Sequence, residues 1–87
     1  MELQEYRNKI DEIDRDLVRL FCQRMALTCD VARYKKEHAL PVLDAAREAV
    51  LLEKVCELSD EEFRSYTRDL YESILRISKE YQETVLK

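Results

Sequence analysis

The chain has 87 residues with no glycine and one proline, Pro41, which excludes a Gly-rich phosphate loop, a dinucleotide fingerprint and glycine-built hairpins. Ala, Glu, Lys, Leu and Arg supply 45 of the 87 residues, the usage of long helices, so one all-α domain over residues 1–87 is expected. Fifteen basic against nineteen acidic residues give a net charge of -4, a poor match to nucleic acid.

Met1-Glu2-Leu3-Gln4-Glu5 lacks the charged-then-apolar order of a signal peptide, and no apolar run nears the roughly 18 residues of a membrane span. Cys22, Cys29 and Cys56 are odd in number and form no CxxC, so neither a disulfide framework nor a metal site is indicated. Reduced thiols packed between helices and a cytoplasmic location are expected.

The first element is a helix from Glu2 to Glu37, which nothing interrupts. Leu3, Tyr6, Ile10, Ile13, Leu17, Leu20, Arg24, Leu27, Val31 and Tyr34 advance by alternating steps of three and four, a heptad seam with one charge inside it. At 1.5 Å per residue this helix is roughly 54 Å long, whereas a compact chain of this size is about 30 Å across. The helix overshoots its own globule, and a second copy of the chain is the simplest partner for the excess.

His38-Ala39-Leu40-Pro41-Val42 breaks the helix, because proline disfavours helix at Leu40 and cannot continue the ladder. Asp44 is the expected N-cap of a short second helix ending near Glu57. Ser59-Asp60-Glu61-Glu62 reads as a capping box opening a third helix, whose apolar stripe is Phe63, Thr67, Leu70, Ile74, Ile77 and Tyr81. The order is long, short, long.

Arg24 is the anomaly. A guanidinium in an apolar seam is costly unless an anion meets it, either an internal Glu or a ligand. Lys35 lies eleven residues on, about 20° away around the helix and about 16 Å along it, so the two long side chains can converge on one small ligand. Arg7 lies about 25 Å before Arg24 on the same rod, so it is either a surface residue or part of a site shared with a second chain. Asp44, Arg47 and Glu48 cluster at the start of the second helix, where capping and the helix dipole already favour acids. Ser78 and Gln82 stand one turn apart beside the third helix's stripe. His38 is expected to face solvent, and without a Cys or Asp partner it makes no nucleophile relay.

Taken together, Tyr6-Arg7-Asn8-Lys9-Ile10-Asp11, Ile13-Asp14, Arg24-Met25, Val31-Ala32-Arg33-Tyr34-Lys35, Pro41-Val42, Asp44, Arg47-Glu48 and Ser78-Lys79-Glu80-Tyr81-Gln82 resemble the all-helical (type II) chorismate mutases in order and spacing over nearly the whole chain. The resemblance implies an intertwined homodimeric bundle of three-helix chains that converts chorismate to prephenate in the shikimate pathway to phenylalanine and tyrosine. It also implies roles. Arg24 and a partner's Arg7 clamp the two substrate carboxylates, and Ser78 holds a carboxylate. Lys35 donates to the ether oxygen and a carboxylate, Gln82 donates to the same ether oxygen, Glu48 accepts from the ring hydroxyl with backbone near Asp44 assisting, and Arg47 borders the pocket. Some relatives carry Glu in place of Gln82 and need it protonated; an amide donates at any pH. The reaction is an intramolecular rearrangement, so no cofactor or metal is expected. Two alternatives are isochorismate pyruvate lyase on the same fold and a non-catalytic helical dimerisation module with Arg24 paired internally.

Overall fold

A computed structural model describes residues 2–86. Its elements are α1 (Leu3–Glu37), α2 (Ala45–Leu58), a 3₁₀ turn (Glu61–Phe63) and α3 (Arg64–Leu86). This is the expected all-α order of long, short and long helices. The molecule measures 54 × 24 × 15 Å with a radius of gyration of 16.0 Å, against about 12 Å for a compact chain of this length.

The end of α1 shows how a glycine-free chain stops a helix. Leu40 N–H donates to Lys35 O at 2.8 Å and Ala39 N–H to Lys36 O at 3.3 Å, a Schellman motif. Its left-handed position, normally Gly, is held by Ala39 with φ of 53°. A Cβ there crowds the following carbonyl. Replacement Ala39→Gly is expected to stabilise the protein by about 1 kcal/mol, read as a Tm several degrees higher in thermal unfolding. His38 is exposed, as expected, and stacks on Tyr34 with ring centroids 3.9 Å apart.

Asp44 caps α2 as its position in the sequence predicts, Oδ1 accepting from Arg47 N–H at 3.0 Å. The expected capping box is not formed. Ser59 N–H donates to Val55 O at 3.1 Å and so closes α2, which leaves Ser59 ending one helix rather than starting the next. Its hydroxyl lies 3.0 Å from Asp60 O and 2.8 Å from Thr67 Oγ1 instead of on Glu62 N–H. Arg64 Nε donates to Cys56 O at 2.8 Å, satisfying one of α2's last carbonyls.

α3 packs against both α1 and α2, while α1 and α2 do not pack on each other. The buried side chains are small or polar: Thr28 and Ala32 on α1, Val55 on α2, Ser78 and Gln82 on α3. Among the described residues no large side chain is fully buried. The centre of α3's inner face therefore runs through Ser78 and Gln82, which the stripe reading placed at its edge. Of that stripe, Thr67, Ile74, Ile77 and Tyr81 are half-buried, whereas Phe63 and Leu70 are exposed. Cys22 is also exposed rather than packed; Cys29 and Cys56 are half-buried, and all three are free thiols.

The seam of α1 is uncovered. Leu3 is 63% exposed, Ile13 58%, Leu17 55% and Leu27 64%, and all described residues from Glu2 to Leu20 are exposed. In proteins, most helical stability comes from tertiary packing of an amphipathic face, which this half of α1 lacks within one chain. No helix among the described residues is long and apolar enough to cross a membrane.

Candidate active site

A cavity of about 320 Å³ opens where the C-terminal half of α1, the start of α2 and the C-terminal half of α3 converge. Its polar wall contains Arg24, Lys35, Asp44, Arg47, Glu48, Ser78 and Gln82. The structure thus gathers from three helices seven of the eight residues singled out in the sequence. Arg7 is the eighth; it is exposed on the free half of α1 and does not line the cavity.

Each polar group is aimed by a local contact. Arg24 is half-buried, and its Nη1 donates to Ser78 Oγ at 2.9 Å. It forms no ion pair with an acid among the described residues, so the internal Glu considered for it is not its partner. Accepting from Arg24 leaves the Ser78 hydroxyl proton free to donate to a ligand. Thr28 donates its hydroxyl to Arg24 O at 2.9 Å, one turn back along α1. Lys35 Nζ donates to Val42 O at 2.7 Å, so the break after α1 turns the ammonium toward the cavity it lines. The cations Arg24 and Lys35 are thus held by neutral oxygens and keep their charge uncompensated.

Asp44 spends its carboxylate on the cap of α2, which sets Arg47 and Glu48 at the cavity mouth. Glu48 Oε1 receives a hydrogen bond from Lys79 Nζ at 3.2 Å. Gln82 is buried, and its Oε1 has no hydrogen-bond partner. A buried acceptor left unpaired costs about 1–3 kcal/mol, which only a group donating a hydrogen bond to Oε1 recovers. Tyr81, beside Gln82 in the chain, has its phenol held above the usual range, first by its hydrogen bond and charge interaction with the Cys29 thiol.

Arg24, Lys35, Arg47 and Lys79 set four positive charges against the two negative charges of Asp44 and Glu48. The cavity is therefore formally +2 inside a chain of net charge -4. Low-dielectric walls focus that local excess despite the opposite overall sign. The other walls, Leu27, Val31, Val42, Leu51 and Leu75, are apolar and suit a small carbon skeleton. No group of His, Cys, Asp and Glu able to hold a metal occurs among the described residues.

Two polar residues of this wall escaped the sequence reading, Thr28 and Lys79. Lys79 follows Ser78 directly and stands three residues before Gln82, so its helical spacing to Gln82 was a usable signal. Thr28 carries none, because one turn from Arg24 it reads as an ordinary half-buried position.

Fold and cavity together define an all-helical protein with a cationic interhelical cavity. Residues 6–83 match the family model described as chorismate mutase type II. The chain is 37% identical over 60 residues to a chorismate mutase of Methanocaldococcus jannaschii, covering 69% of this chain and 61% of that one. It is 34% identical over 74 residues to the T-protein of Haemophilus influenzae, covering 85% of this chain and 19% of that one. A bifunctional chorismate mutase/prephenate dehydratase of Buchnera aphidicola subsp. Baizongia pistaciae is 31% identical over 84 residues, covering 94% of this chain and 23% of that protein. No solved structure gives a significant match. The chain belongs to the type II chorismate mutase family. It spans about three fifths of the archaeal relative and about a fifth of the two bacterial ones.

Proposed function

We propose that the protein is a chorismate mutase, an isomerase that rearranges chorismate to prephenate in aromatic amino acid biosynthesis. The observation that carries this reading is the +2 cavity whose Arg24 and Lys35 have no anionic partner among the described residues. Chorismate is a small dicarboxylate and supplies the two missing negative charges.

In the rearrangement one C–O bond breaks as one C–C bond forms within the same molecule, with no proton transferred and no covalent bond to protein. Arg24 binds one carboxylate in the two-point manner of a guanidinium, and the Ser78 hydroxyl donates to it. That grip holds the enolpyruvyl arm over the ring, converting a rare reactive conformer into the bound one. Lys35 and the Gln82 amide face the ether oxygen, where negative charge grows as the C–O bond stretches. Their interaction is stronger in the transition state than in bound substrate, which is the condition for lowering the barrier. Glu48 accepts from the ring hydroxyl, the backbone near Asp44 assists, and Arg47 closes the mouth. Because the donor on α3 is an amide and not a carboxylic acid, turnover is expected to show no rise on acidification, measured as kcat/KM from pH 7 down to 4.5. A sharp rise on acidification would contradict a donor role for Gln82.

The second carboxylate is assigned to Arg7 of a partner subunit in an intertwined homodimer. Three features support the dimer. The heptad seam of α1 is exposed, no large side chain among the described residues is fully buried, and the chain exposes 7078 Å². A compact monomer of this mass exposes about 5,400 Å². Covering that excess on two chains buries an area in the range of obligate dimers. Sedimentation is expected to give twice the 10.4 kDa chain mass. The free thiols fit the reducing cytoplasm as its location.

Incubating the protein separately with chorismate and with isochorismate tests the assignment. Prephenate from the first and no salicylate or pyruvate from the second is the expected result. The reverse pattern would identify a lyase, and no reaction with either would leave the fold as a non-catalytic module.

A further inference from the structure

Lys79 is the charged cavity residue to which neither the sequence motif nor the mechanism gives a role. Among the described residues its bond to Glu48, Nζ to Oε1 at 3.2 Å, is the one ion pair joining two helices; the other three lie within single helices. The pair is sheltered, the Lys79 side chain being 34% exposed and that of Glu48 23%, against 51–72% for the surface pairs. We propose that Lys79 is a positioning and specificity residue. It grips one oxygen of Glu48 so that the other faces the ring hydroxyl of the substrate, and it offsets the charge of Glu48 beside a dianion.

A free glutamate on the first turn of a helix samples several rotamers, and its carboxylate rotates freely at the last torsion. A lysine fixed from a neighbouring helix removes both freedoms, spending one oxygen and leaving the second with its lone pairs available. Without Lys79 the cavity is formally +1, and the Glu48 charge faces the substrate's own two charges uncompensated. Because the hydroxyl contact is made equally before and during bond rearrangement, losing it weakens binding and leaves the chemical step alone.

This inference rests on the mutase reading, and the test separates the two. The protein is titrated with two stable bicyclic dicarboxylates shaped like the transition state, one bearing the ring hydroxyl and one lacking it. Their affinity ratio cancels the long-range charge effect, which both share. The unaltered protein is expected to prefer the hydroxyl-bearing compound. Lys79→Met is expected to cut that preference about tenfold and to raise KM for chorismate by a similar factor with kcat nearly unchanged, while Lys79→Arg retains the preference. Glu48→Gln abolishes the preference, and adding Lys79→Met to it lowers the preference no further. Equal weakening of both compounds by Lys79→Met would reduce Lys79 to a distant charge and overturn the inference alone, as would no effect on either. If the unaltered protein binds neither compound and turns over no chorismate, the mutase reading falls and this inference falls with it.

Discussion

Lys35→Ala and Gln82→Ala are each expected to lower kcat about 10²–10³-fold, the usual loss when one preorganised donor to a developing negative charge is removed. Both act where the charge changes, so kcat falls with kcat/KM and KM moves little. The variants should stay folded. Lys35 gives up one hydrogen bond to Val42 O, made at the rim of the cavity and not in the packed contact around Ala32. Gln82→Ala removes a buried oxygen that has no partner, so the space it leaves is partly offset by the relief of an unsatisfied acceptor. Circular dichroism unchanged from the parent, with turnover down by that factor, is the expected pair of readings. Near-normal turnover in both variants would remove the electrostatic part of the mechanism.

The second large effect concerns Arg7. On one rod Arg7 and Arg24 are about 25 Å apart, too far to hold one small molecule. If each site takes Arg24 from one chain and Arg7 from the other, Arg7→Ala and Arg24→Ala homodimers each lack a clamp in both sites and are nearly inactive. Mixed and allowed to exchange, half the dimers become heterodimers in which one site has both arginines and the other has neither. Recovery to about one quarter of parental activity is then expected from this two-fold arithmetic. Persistently low activity after subunit exchange, confirmed by mass, would contradict the shared site.

Much of this molecule is legible in its sequence because helices declare themselves locally. An uninterrupted run before Pro41, an aspartate in N-cap position and an eleven-residue separation between two cations are short-range facts, and the structure keeps all three. Less legible were features decided by which neighbour wins a group. Ser59 has the right spacing for a capping box, yet closing α2 and pairing with Thr67 takes its backbone and hydroxyl first. The stripe on α3 was drawn through apolar residues, but within one chain the inner face is centred on Ser78 and Gln82, and Phe63 and Leu70 are left outside. Apolarity predicts burial only when all covering surfaces are counted, and here the long seam of α1 shows how much of that surface a single chain leaves uncovered. Lys79 was missed for a related reason, since a lysine on a helix reads as solvated until a carboxylate on another helix is found beside it.

In the proposed dimer a cationic cavity completed by two chains encloses a small dicarboxylate and stabilises its rearranging form. A crystal grown with the hydroxyl-bearing bicyclic mimic tests it most directly. One mimic is expected in each cavity, its carboxylates bonded to Arg24 and to Arg7 of the partner subunit, and its ether oxygen within hydrogen-bond distance of Lys35 and Gln82. An empty cavity, or a mimic held by the residues of one chain alone, would contradict it.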